Sequence, residues 1–300
     1  MRPFLLKFQW LNGLLTITYL IWGYLRMGSH IKRRMTRLIL VSIALGALLL
    51  FFPNIGQAPQ AVFNFMSNTI LEEKLPRYVI HKINPQAEGI VVKPSGSYDS
   101  IKIKIASQRE ALRQKWDAAS AAEREEVIAE AGNVFTESLL NEIIPHWYGT
   151  VWDYNGYTDV PGSGQVACGY FVSTTLKHIG VNLNRYKLAQ AYSLKAVEVL
   201  QGSKATNVSG VGQDSFVTYM ETKKDGFYAL GLDSHIGFVL VRNGKSYFIH
   251  SSNVWPGIVC IESARETVQF RWNNSFVVAD LSNNESFLKK WMKQEAFIVP

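Results

Sequence analysis

Ser234-His235-Ile236-Gly237-Phe238-Val239-Leu240-Val241-Arg242-Asn243-Gly244-Lys245-Ser246-Tyr247-Phe248-Ile249-His250-Ser251-Ser252 is the stretch that decides the fold. Asn-Gly between two runs rich in β-branched and aromatic residues marks a hairpin with a two-residue turn. That turn pairs Arg242 with Lys245, and the register running outward sets Gly237 opposite His250. Side chains two residues apart share a face, so His235 and His250 become diagonal neighbours. Their Cβ atoms then lie somewhat under about 7–8 Å apart, within reach of a direct or water-bridged hydrogen bond. Gly237 offers no side chain to block His250. The opposite face carries Ile236, Phe238, Leu240, Tyr247 and Ile249 and reads as core.

Working outward, further strands are expected at about 215–220, 226–230, 258–262 and 275–280. Helices are expected from about Cys168 to Lys177, stopped by Gly180, and from about Arg185 to Leu200, stopped by Gly202. A last amphipathic helix covers about Glu285 to Lys293. Upstream, Ser107 to Ile144 is rich in Ala, Glu, Arg and Leu and reads as one helix, or two broken near Gly132. Within it Ser120 and Glu123 have the spacing of a capping box. Residues 86–105 alternate weakly and read as one or two short strands around a Pro94-Ser95-Gly96 turn. Helices first and an antiparallel sheet after them is an α+β arrangement.

The formal net charge of +7 invites a nucleic-acid reading. Its location argues otherwise. Arg2, Lys7, Arg26, Lys32, Arg33, Arg34 and Arg37 precede the first acidic residue, Glu72, and the rest of the chain is formally neutral. A neutral body lacks the basic footprint that phosphate binding needs, so no nucleic-acid partner is expected.

Two apolar runs stand in that basic leader, Leu11 to Leu25 and Leu38 to Phe52. A charged patch followed by such a run reads as a secretory signal or a short anchor, although each run is shorter than the roughly 20 residues that span a bilayer comfortably. Gly56-Gln57-Ala58 offers a cleavage site, and translation from Met27 or Met35 would leave a conventional signal sequence. Basic residues stay on the cytoplasmic side. With one span or with two, that rule puts the body outside the membrane. The expected organisation is a signal or membrane-anchor leader at 1–58, a linker and mainly helical region at 59–144, and a hydrolase domain at 145–300.

The chemistry begins at Gly164-Gln165-Val166-Ala167-Cys168-Gly169-Tyr170-Phe171. A glycine-rich loop delivers Cys168 to the first turn of a helix, where unpaired amides stabilise a thiolate and can receive an oxyanion. Gly169 leaves room for a substrate carbonyl. A lone cysteine is more often a small buried hydrophobe, and Cys260 in Gly257-Ile258-Val259-Cys260-Ile261 reads that way. Two histidines on one sheet face are structural side chains, a metal pair, or a base and its orienter, and structural histidines usually stand alone. A metal would need more ligands, and only Asp233 stands nearby. The base reading gives His235 the proton of Cys168, with His250 fixing the ring of His235. His178 lies ten residues after Cys168 on one helix, about 15 Å along its axis. It is expected to cap that helix.

These residues resemble the NlpC-type cell-wall hydrolases, a branch of the papain-like cysteine peptidases, over roughly residues 145–282. Tyr148-Gly149-Thr150-Val151-Trp152-Asp153-Tyr154-Asn155-Gly156 is similar to the family's Gly-Thr-x-Tyr-x-x-Gly-Gly motif. Cys168-Gly169-Tyr170-Phe171-Val172 is similar to its Cys-Ser-Gly-Phe-Val helix start. Ser234-His235-Ile236-Gly237 with Phe248-Ile249-His250-Ser251-Ser252 is similar to its base strand and third polar residue. The resemblance implies a papain-like fold, with the nucleophile helix packed on a small antiparallel sheet. It implies hydrolysis of amide bonds in cell-wall peptides, with Cys168 as nucleophile, His235 as base and His250 as orienter. The family's oxyanion tyrosine matches Trp152, which has no hydroxyl, leaving Tyr154 or Tyr157 as the substitute. The usual Asp before the cysteine is Ala167 here. About four extra residues separate the first motif from Cys168.

The expected activity is therefore that of an extracytoplasmic thiol hydrolase on peptidoglycan or a peptide substrate, held at the membrane by its N-terminal segment. No cofactor or metal is expected. A non-catalytic wall-binding or scaffold protein on the same fold, and a lipid acyltransferase or esterase using the same Cys/His pair, are the alternatives.

Overall fold

A computed structural model describes residues 80, 81, 83–255 and 257–300. The leader, with its two apolar runs and arguable cleavage site, lies outside the described residues. Among the described residues no helix is long and apolar enough to cross a membrane.

The protein is α+β, built on one seven-stranded sheet. Its strands are β1 Ile80–His81, β2 Thr206–Asn207, β3 Gly226–Gly231, β4 Ile236–Arg242, β5 Lys245–Ser251, β6 Val259–Ser263 and β7 Val277–Asp280. Their order across the sheet is β1-β6-β5-β4-β3-β7-β2. The strands from β6 to β2 are mutually antiparallel, and β1 joins β6 in parallel. The β4–β5 hairpin pairs Arg242 with Lys245 and runs to Phe238 opposite Ile249, the register read from Asn243-Gly244.

Helices cover both faces. They are α1 Tyr98–Ala118, α2 Arg124–Glu137, a π-helical turn Ser138–Ile143, α3 Ile144–Trp147, α4 Cys168–His178, α5 Arg185–Gln190, α6 Ser193–Gln201, α7 Gly212–Glu221, α8 Val268–Trp272 and α9 Glu285–Lys293. Phe238, Leu240, Ile249 and Ile261 pack with Phe171 of α4 and Trp291 of α9 in one core. Val239, Val241 and Phe248 on the other face pack with Phe216 of α7 and Phe270 of α8. The histidine-bearing face is thus aromatic and enclosed. Residues on either side of the boundary expected at 144, such as Ile105 and Phe135 before it and Phe171 and Phe238 after it, share the first core.

Four segments differ from their sequence reading, the first being 86–97, which is turn and irregular chain with no strand. The Ile-Lys alternation at 101–105 is helix, not strand. Ile101 and Ile105 are buried at helical spacing, while Ile103 is 72% exposed, and Lys102 and Lys104 pair outward with Asp99 and Glu142. A short Ile-Lys alternation fits both periods, and the i, i+4 pair decides it. Residues 212–221 form α7 rather than a strand, because Phe216, Val217 and Met220 cluster on one helical stripe. The helix expected over 185–200 is two, α5 and α6, broken at Ala191 and Tyr192.

Gly132 sits inside α2 and breaks nothing, because the Ser282 carbonyl packs where a side chain would stand. The break falls earlier, where the Ser120 N–H donates to the Glu123 carboxylate at 2.8 Å and the Glu123 N–H to the Ser120 hydroxyl at 3.4 Å. Those reciprocal bonds are a capping box.

Candidate active site

The turn that starts α4 is held from three sides. The Val166 N–H donates to the Val151 carbonyl at 2.9 Å, the Ala167 N–H to the Gly156 carbonyl at 2.8 Å, and the Ser251 hydroxyl to the Val166 carbonyl at 2.7 Å. Ala167 is extended and Cys168 begins the helix. The amides of Ile236, Gly169 and Cys168 itself approach the sulfur. Burial nevertheless dominates and pushes the Cys168 thiol above its ordinary range, with those amides pulling the other way. The sequence suggested the reverse balance, a stabilised thiolate. Gly169 also has a different reason from the one expected. A Cβ there would overlap the Ala189 carbonyl oxygen of α5, so the glycine serves helix packing rather than substrate room.

His235 stands just before β4 and is 2% exposed. Its Nε2 lies 2.8 Å from His250 Nδ1, with the two rings edge to face at 88°. The His250 ring stacks on Phe248 at 4.3 Å. Gly237 permits this: a Cβ there would lie 2.9 Å from His250 Cβ and 2.6 Å from the Phe248 ring. At 2.8 Å the two nitrogens stand at hydrogen-bond distance. Among the described residues no group of three or more His, Cys, Asp or Glu is disposed to hold a metal. Asp233 is occupied by the N–H groups of Asn274 and Ser275 and by the Ser275 hydroxyl.

Cys168 and His235 line one cavity of about 290 Å³, walled by Leu188, Ala189 and Ala191 and with Tyr154 on its rim. No hydrogen bond joins the two side chains. The His235 Nε2 is engaged by His250, which leaves Nδ1 for a cavity partner. Burial first, and His250 second, hold His235 well below the ordinary imidazole range, so it is neutral. Of the aromatic residues considered for the oxyanion, Tyr154 reaches the cavity. Trp152 does not line it, and Tyr157 lines a separate cavity of about 410 Å³ beside Arg185.

The sequence reading missed Glu262. Its Oε1 lies 2.9 Å from His250 Nε2 and accepts from the Thr267 hydroxyl at 2.6 Å. The signal was there: a lone acid in the apolar run Val259-Cys260-Ile261, two residues after the position that pairs with His250. Cys260 is buried, as a core residue would be, and its Sγ also lies 3.7 Å from His250 Nε2. Burial, then the charge of Glu262, push its thiol far up, so it stays protonated.

His178 caps no carbonyl. Its Nδ1 bonds the Tyr98 hydroxyl at 2.9 Å, and Trp147 donates to the same oxygen at 2.8 Å. Burial lowers His178 from 6.5 to about 4. His146 and His235 are also lowered by burial. All three bind a proton more weakly in the folded chain than in the unfolded one. Stability is therefore fully present above about pH 6.5 and falls as the pH drops toward the folded value of His178, about 4. The expected result is a melting temperature that declines steadily between those limits. A melting temperature that stays level or rises on acidification would refute it.

Compared with known proteins, the chain matches no protein family, no curated protein and no solved structure.

Proposed function

We propose that this protein is a thiol hydrolase of the NlpC-type, papain-like kind, acting on amide bonds of peptidoglycan stem peptides outside the cytoplasmic membrane. The observation that carries the reading is one cavity lined by Cys168, at the first turn of α4, and by His235, whose far nitrogen is held by His250. The basic, apolar leader is the support for an extracytoplasmic, membrane-held site.

Both groups rest neutral, so proton transfer accompanies attack. His235 Nδ1 takes the thiol proton as the sulfur bonds to the substrate carbonyl carbon. The oxygen becomes an oxyanion beside the amides at the start of α4. Collapse breaks the C–N bond, and His235 returns the proton to the leaving amine. Water, losing its proton to His235, then cleaves the thioester and restores the thiol.

The test is mass spectrometry of purified peptidoglycan after incubation with the full chain. The expected result is stem-peptide fragments with new amine and carboxyl ends, absent when the chain has been alkylated at Cys168. Stem peptides left intact by the unmodified chain would remove this reading of its substrate.

A further inference from the structure

We infer that Glu262 is a positioning residue that sets which nitrogen of His235 is free to take a proton. A carboxylate only accepts, and Glu262 Oε1 already receives the Thr267 hydroxyl hydrogen, while the Thr267 oxygen accepts the Gln269 N–H at 3.2 Å. The hydrogen of the His250–Glu262 bond therefore sits on His250 Nε2. With His250 neutral, the state in which an imidazole carries one hydrogen, its Nδ1 is an acceptor. The hydrogen of the 2.8 Å bond between the rings must then come from His235 Nε2. That leaves the lone pair on His235 Nδ1, the nitrogen not used by His250. One carboxylate, two strands away from β4, thus fixes two tautomers in succession.

Without Glu262 the order reverses as easily as it holds. A His250 with its hydrogen on Nδ1 donates to His235 Nε2, and His235 then turns an N–H toward the cavity instead of a lone pair. When the proton does arrive on His235, the carboxylate also offsets the new charge through His250, in a site where His250 is fully buried. The kinetic consequence rests on the thiol-hydrolase reading. The tautomer assignment rests on the hydrogen bonds together with a neutral His250, and not on any activity.

The experiment is nitrogen-15 NMR of the full chain labelled at its six histidines, beside steady-state kinetics. In the wild type, His235 is expected to carry its hydrogen on Nε2, with Nδ1 at the shift of an unprotonated nitrogen. Glu262→Leu is expected to mix the two tautomers and to lower kcat about 10–100-fold, with KM little changed. Glu262→Gln keeps an acceptor beside the Thr267 hydroxyl. It should retain the wild-type tautomer and lose about tenfold in kcat, since the charge is gone. A wild-type His235 with its hydrogen on Nδ1 overturns the inference, whether or not Glu262→Leu folds. So does a folded Glu262→Leu with unchanged tautomers and kcat. A chain that hydrolyses nothing yet shows the expected tautomers would sink the hydrolase reading and leave this one standing.

Discussion

On the thiol-hydrolase reading, Cys168→Ala is expected to leave a folded chain whose turnover falls by about 10⁴-fold or more. The folding half of this result follows from position. Cys168 is only partly buried and packs at the edge of the first core. Alanine fits the first turn of a helix and leaves Gly169 against Ala189 undisturbed. The chemical half follows from roles. On the proposed thiol-hydrolase reading the sulfur is the atom that bonds the substrate carbon, and Cys260 cannot replace it, because it is enclosed beside His250. His235→Ala is expected to cost about as much, and the double variant no more than either single one, since a nucleophile and its base act as a unit. The measurement is kcat/KM beside a melting curve. Residual turnover within tenfold of wild type in folded Cys168→Ala would exclude it as nucleophile.

Gly169→Ala destabilises the chain and disables the site together. Alanine is the better helix former by about 1 kcal/mol, so local propensity alone argues for a gain. The new methyl, however, overlaps the backbone carbonyl of Ala189, which cannot swing aside like a side chain. Relieving it requires α4 and α5 to move apart, a strain of about 1–3 kcal/mol in packed interiors. The expected net result is a melting temperature lower by several degrees, at about 2–4 °C per kcal/mol for a domain of this size. The same movement shifts Cys168 relative to His235, because α4 begins at Cys168 and α5 walls their cavity. A displacement of about 1 Å costs on the order of 100-fold in rate. A raised melting temperature with full kcat/KM would show that the α4–α5 contact yields freely.

The hairpin was legible because its turn chemistry and residue period agree, and both are local. Register then followed by counting, and with it the meeting of His235 and His250. Glu262 was harder to see. Its partner lies on the neighbouring strand, and pairing between β5 and β6 depends on a connection, 252–258, with no turn signal as sharp as Asn243-Gly244. The helical identity of 101–105 and 212–221 was hidden for a related reason. Short runs of apolar residues fit both periods until a core chooses between them, and here Ile105 and Phe216 were chosen by cores on opposite faces of the sheet. The effect of burial on the Cys168 thiol was likewise invisible, since it depends on segments distant in sequence, such as α5 and Ile236, that line the cavity around a cysteine the sequence placed at an open helix end.

Gly237 gives the hairpin a heritable consequence. Positions 235, 237 and 250 form one character rather than three, because the ring-to-ring bond exists only while nothing projects from 237. A single methyl there would press within 2.9 Å of both His250 and Phe248, wedging the histidines apart. The meeting of the two histidines therefore depends on a bare backbone between them, a constraint carried by position 237 rather than by either ring.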